Sequence, residues 1–156
     1  MILINIPWRS LVFITTIIVF FHSNIINTGL GAEPSLFSLE DIKSLPAHTV
    51  TATLCSAANR RDELCQVLPL PFIKFGGGCC GNAVWTGARL LDVLHAAGIA
   101  NLGDGDGHHV VLEGLDTGPA GSHYAVSIPL QKVVDKYGDV LLAYKMNGEP
   151  LTPDHG

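Results

Sequence analysis

Threonine alternates with apolar residues between His48 and Cys55: Thr49, Thr51 and Thr53 interleave with Val50, Ala52 and Leu54. Period two in β-branched residues predicts a strand with one polar and one apolar face. Just upstream, Ser38 is followed three residues later by Asp41, the pattern of an N-cap answered by an acid. A short helix over 39–44 is expected there, ended near Pro46. Leu90, Leu91, Leu94 and Ala97 fall on one helical face, so residues 87–98 read as a helix stopped by Gly98. Residues 109–113 predict a strand, and 127–138 a short helix with Pro129 in its first turn. Val140–Tyr144 reads as a buried strand, followed by the tight-turn pair Asn147-Gly148. Asn59–Glu63 is expected to be a polar turn, and 68–82 and 101–107 to be loops. Short strands and helices without a βαβ repeat point to an irregular α+β domain.

The first 32 residues break this pattern. Arg9 is their only charged side chain, and it precedes an apolar run to Phe21 and a small-residue stretch, Gly29-Leu30-Gly31-Ala32. Such an order suits a signal peptide; an uncleaved membrane anchor and a misplaced gene start are the alternatives. The run is short for a helix crossing a ~30 Å hydrocarbon core. The expected organisation is an apolar leader over 1–32 and a globular part over 33–156.

Composition narrows the classes further. With 47% hydrophobic and 15% charged residues, the chain is not of disordered type. A net charge of −5 gives no broad basic face for nucleic acid. Four cysteines in 156 residues do not make a disulfide scaffold.

Several side chains could carry chemistry. Arg60 and Arg61 directly follow the threonine-rich strand, and guanidinium forks match oxyanions bidentately. The plainer reading is a solvated turn in which they pair with Asp62 and Glu63. Cys55 and Ser56 at the same strand end could offer a ligand or nucleophile; a packed cysteine is the plainer reading. Cys55, Cys65, Cys79 and Cys80 lack zinc-site spacing. Gly76–Gly78 permits close backbone approach, but no Lys-Ser/Thr follows, which excludes a P-loop. The acids of 101–107 lack the terminal glutamate of a calcium loop. Asp116 reads as a turn residue. These residues alone name no reaction.

Longer strings do. His48–Leu54, Ala57-x-Asn59-Arg60-Arg61, Gly81–Leu94, Glu113–Asp116, Ser127–Leu130, Leu141–Leu151 and Asp154-His155-Gly156 resemble, in order and spacing, the molybdopterin domain of sulfite oxidases. Nitrate reductases share that domain. The resemblance implies an α+β fold around one pyranopterin molybdenum cofactor, oxidation of sulfite to sulfate by oxo transfer, and an acceptor such as cytochrome c or oxygen. It implies an anion-pocket role for Arg61 and cofactor binding by Asn59, Arg60, Asp116 and His155. It also implies a mitochondrial setting, the intermembrane space, whereas the N-terminal run suggests a secretory or membrane-anchored one.

Two departures accompany the resemblance. The family reads Leu-Gln-Cys-Ala-Gly-Asn-Arg-Arg where this chain reads Leu54-Cys55-Ser56-Ala57-Ala58-Asn59-Arg60-Arg61. The metal-ligand position thus falls on Ser56, with Cys55 as the alternative donor one place early. Alternation puts Cys55 on the threonine face and Ser56 on the other. The second departure is one of extent. The family's upstream cofactor loop, its later arginine and tyrosine, its homodimerisation domain and a haem module have no counterpart here. The expected object is a domain truncated at both ends, inactive alone. A non-catalytic binding remnant is the alternative.

Overall fold

The computed structural model describes residues 2–6, 11–12, 18–20, 25–29, 32–56, 58–70, 74–99, 102, 108–117, 121, 123–137 and 140–152. Two sheets organise them. The first runs β5 (Ala32–Phe37), β4 (Ile25–Gly29), β1 (Ile2–Ile6), β8 (His109–Thr117), β9 (His123–Pro129). The second runs β2 (Leu11–Val12), β3 (Ile18–Phe20), β10 (Leu141–Met146), β7 (Cys80–Arg89), β6 (Ala47–Cys55), with β11 (Glu149–Pro150) paired to β10. Helices α1 (Leu39–Ser44), α2 (Arg61–Val67), α3 (Leu90–Ala96) and α4 (Leu130–Val134) are all short. The architecture is the expected mixed α+β fold.

Residues 2–29, which the sequence suggested as leader, carry β1–β4. β1 pairs in parallel with β8, and β3 with β10. Their Ile- and Val-rich runs suit strands as well as they suit an apolar targeting segment. None of the helices among the described residues is long and apolar enough to cross a membrane.

The capping signal at Ser38 forms in full. Asp41 N–H donates to Ser38 Oγ at 3.2 Å, and Ser38 N–H donates to Asp41 Oδ2 at 2.8 Å. This anchors α1 so that Ile42 is completely buried. β6 keeps the alternation read from sequence: its threonines are exposed while Ala52 is buried and Val50 and Leu54 half-buried. β10 is buried on both faces, which explains its unbroken apolar run. Leu142 and Tyr144 join the main core with Ala88, Leu90, Leu94, Val110 and Ile128; Leu141 and Ala143 join a second cluster with Ala52 and Trp85. At its end, Asn147 and Gly148 adopt φ of 52° and 89°, the paired positive values of a tight hairpin turn.

Three expectations need correction. The helix expected from Gly87 begins at Leu90, because β7 continues to Arg89 and pairs with both β6 and β10. The helix expected from Ser127 begins at Leu130, because β9 runs through Pro129, which caps it. The polar turn expected over 59–63 is a turn only to Arg60; α2 begins at Arg61. Its first turn carries Asp62 and Glu63, a helix-start signal masked by the lack of an apolar face, for α2 buries no residue.

Candidate functional site

The end of β6 and the segment before β7 are stitched together around Asn59–Arg61. Ser56 N–H donates to Cys79 O (2.8 Å), Arg60 N–H to Gly76 O (3.0 Å) and Asp62 N–H to Phe75 O (3.1 Å). Cys79 N–H donates to Asn59 Oδ1 at 3.1 Å. The glycine loop thus serves the arginine turn through its carbonyls. Gly78, at φ +90°, supplies the left-handed bend that lets the loop return to β7.

Arg60 itself sits at φ 60°, ψ 26°, in the left-handed region. A side chain with a Cβ is disfavoured there by roughly 1–2 kcal/mol. The surrounding hydrogen bonds hold it in place, and such retained strain is typical of functional turns. Its guanidinium forms a forked pair with Glu63: Nε donates to Oε1 at 2.8 Å and Nη2 to Oε2. Glu63's hydrogen bond raises the guanidinium pKa above its ordinary value, and Arg60's hydrogen bond holds the Glu63 carboxyl below its own. An open cavity of about 480 Å³ lies alongside, lined by Asn59, Arg60, Glu63 and Leu64. Its wall thus holds a guanidinium, an amide and a carboxylate, and a small oxyanion that uses the Arg60 fork must compete with Glu63 for it.

The structure brings together Cys55, Ser56, Asn59, Arg60 and Arg61. Arg61 opens α2 and is half-buried, next to the cavity-lining Arg60. Phe75 reaches this region through its carbonyl and is 44% exposed. Asp116, expected in a turn, instead lies in β8, which continues to Thr117 in the other sheet. His155 lies outside the described residues. The surface pairing of the arginine turn with Glu63 expected from the sequence is present, and the first turn of α2 also sets Glu63 in the cavity wall.

The family described as oxidoreductase molybdopterin binding domain matches residues 22–156. The chain belongs to this family. It is similar to the mitochondrial sulfite oxidase of Drosophila melanogaster, 44% identical over 126 residues, covering 81% of this chain and 22% of that one. It also resembles nitrate reductase [NADH] 1 of Phaseolus vulgaris, at 37% identity over 83% of this chain and 15% of that one. Among solved structures, the sulfane dehydrogenase SoxCD of Paracoccus pantotrophus superposes with a TM-score of 0.59 at 30% identity, covering 82% of this chain and 30% of that one. The chain therefore spans about a fifth of the length of the sulfite oxidase it matches. The family is enzymatic: its description is that of an oxidoreductase, and the proteins named here are an oxidase, a reductase and a dehydrogenase.

The sulfite oxidase resemblance implies a thiolate donor to the metal at the position of Ser56. At the aligned position, Ser56 is exposed and its Oγ accepts from Ala58 N–H at 3.1 Å, closing a local turn. Cys55 Sγ lies 3.6 Å from Ser56 O. β6 pairs with β7 without a register shift from Ala47 to Cys55, so no bulge turns Cys55 onto the other face. Among the described residues no group of three or more His, Cys, Asp or Glu is placed to hold a metal. The donors at this strand end do not fit a thiolate-held molybdenum: an exposed hydroxyl stands at position 56 and the neighbouring thiol lies on the other face.

Proposed function

We propose that this chain is a section of a sulfite-oxidase-type molybdenum oxidoreductase, and that Asn59–Arg61 is its anion-collecting turn. The observation that carries this reading is the strained Arg60, fixed by the glycine-loop carbonyl of Gly76 and facing an open cavity. Arg61 and Arg60 supply the charge that attracts sulfite, and Asn59 holds the turn through Cys79. Asp116 and His155 keep their cofactor-binding role by kinship. Sulfite is the substrate and a cytochrome or oxygen the acceptor by the same kinship; the nitrate reductase likeness makes nitrate the rival anion.

The chain does not turn over sulfite by itself in this reading. Ser56 supplies oxygen where sulfur is needed, and this one feature favours a second reading, a non-catalytic anion- or cofactor-binding domain. The test is to purify the 156-residue chain from a cofactor-producing host. Molybdenum, pterin and sulfite-dependent ferricyanide reduction are then measured alongside sulfite and nitrate binding. We expect sulfite to bind weakly, with at least a tenfold loss in Arg61→Ala. Unchanged binding in that variant would remove the anion assignment. Metal-dependent turnover would overturn the view that the chain is inactive alone, and pterin bound without metal would select the second reading. The mitochondrial relatives support a mitochondrial setting, against the secretory or anchored reading of the N-terminus. Fractionation with N-terminal sequencing of the mature protein decides between them.

A further inference from the structure

The polar face of the β6–β7 pair is a ladder of opposed side chains. Thr49 stands opposite Thr86, Thr51 opposite Val84, Thr53 opposite Asn82, and Cys55 opposite Cys80. Two of these rungs are in side-chain contact: the Thr49 and Thr86 hydroxyls lie 3.0 Å apart, and Thr53 Oγ1 donates to Asn82 Oδ1 at 3.2 Å. The next rung on the same face holds two thiols. The bond from Ser56 N–H to Cys79 O makes Cys55/Cys80 a non-hydrogen-bonded pair. Such pairs bring Cα atoms to about 4.5 Å, within the roughly 4.4–6.8 Å that a disulfide spans. Cys80 is exposed and Cys55 half-buried. Alternation sends the Cys79 side chain to the opposite face, where its Sγ lies 3.9 Å from Gly76 O.

We propose that Cys55 and Cys80 form an oxidative modification site, a cross-strand dithiol closed by a small disulfide of the glutathione class. The exposed Cys80 thiolate attacks the oxidant, forms a mixed disulfide and expels one glutathione thiolate. Cys55 then attacks the Cys80 sulfur, forms the Sγ–Sγ bond and expels the second glutathione. The chain gives up two electrons and two protons, and the oxidant leaves as two thiols. Closure clamps the end of β6 to the start of β7 and leaves no thiol at the strand end that precedes the arginine turn. The site is independent of the sulfite reading, since its readout is the mass of a peptide and neither metal nor activity.

The test equilibrates the reduced chain with glutathione disulfide, blocks remaining thiols and digests with trypsin without reduction. Cleavage at Lys43, Arg60, Arg61, Lys74 and Arg89 separates Cys55 (44–60), Cys65 (62–74) and the Cys79/Cys80 pair (75–89). The expected product is 44–60 linked to 75–89, two hydrogens lighter than the separate peptides. The link should persist in Cys79→Ser and vanish in Cys80→Ser. A bridge within 75–89, a link through 62–74, persistence in Cys80→Ser, or four blocked thiols after equilibration would each overturn the proposal.

Discussion

Gly87 lies at the tightest point of the β7–β10 pairing, and adding one methyl group there tests the fold directly. A Cβ on Gly87 would meet Leu142 O at 2.0 Å and the Ala143 Cα at 2.6 Å. Contact with backbone is ordinary only from 3.4 Å outward, so the carbonyl would have to retreat by about 1.4 Å. Neither atom belongs to a flexible side chain that could swing away. Gly87 pairs with Ala143, next to a register shift between Ala143 and Lys145 that leaves Tyr144 as the extra residue on β10. Moving the strands apart by more than about 1 Å stretches their hydrogen bonds beyond useful length, at roughly 0.5–1.5 kcal/mol for each bond lost. It also opens the core around Ala88 and Leu142, both fully buried.

Two or three bonds plus disturbed packing come to about 3–5 kcal/mol, a large part of a typical domain's 5–15. Gly87→Ala should therefore shift the urea midpoint sharply downward or yield insoluble protein. Gly81→Ala is the control: it lies in the same strand, with nothing within 4 Å of the added Cβ. It should stay within about 1 kcal/mol of the parent. If Gly87→Ala unfolds at the same urea concentration as Gly81→Ala, the β7–β10 register is wrong.

Other outcomes follow from the same structure. Ser38→Ala removes one half of the capping box and should cost about 1 kcal/mol, read by denaturation; the Asp41 carboxyl, held low by its bonds to Ser38, should then titrate nearer its ordinary value in carboxylate NMR. Glu63 is likewise depressed in the fold, so its contribution is present above the ordinary glutamate range and lost as pH falls through its lowered value. Acid should accordingly open the Arg60–Glu63 pair, and Glu63→Gln should mimic that at neutral pH by tightening sulfite binding several-fold in calorimetry; weaker binding in Glu63→Gln would mean that the pair serves the anion site rather than competing with it. Ser56→Cys should raise the molybdenum retained on purification, measured by elemental analysis, whereas Cys55→Ser should change it little; the reverse result would make Cys55 the ligand.

Elements whose signals are local were legible in the sequence. The capping box of α1, the alternation of β6 and the Asn147-Gly148 hairpin each depend on residues within a few positions of one another. β7 was not legible, because its burial comes from the two strands beside it. Gly81, Asn82 and Gly87 give no period-two pattern, and the apolar spacing of α3 drew the helix boundary three residues too early. β9 was hidden in the same way behind the proline that caps α4. At the site, the pairing of the arginine turn with its following acid was legible in the sequence. The left-handed Arg60 and the glycine-loop carbonyl that holds it were not, since both depend on contacts across 16 positions from Arg60 to Gly76.

The continuous β6–β7 register is what ties the metal question to the thiol question. A strand can re-aim a side chain by inserting a residue, and β10 does so at Tyr144. β6 does not: every residue from Ala47 to Cys55 has a single partner on β7. A sulfur displaced by one position along an unbulged strand is displaced to the other face, and no rotamer brings it back. The same rung geometry that keeps Cys55 from the Ser56 side sets it opposite Cys80. A thiol in that place has its reaction partner on the neighbouring strand. The bridge proposed for Cys55 and Cys80 and the comparison of Ser56→Cys with Cys55→Ser therefore probe the same strand end from its two faces.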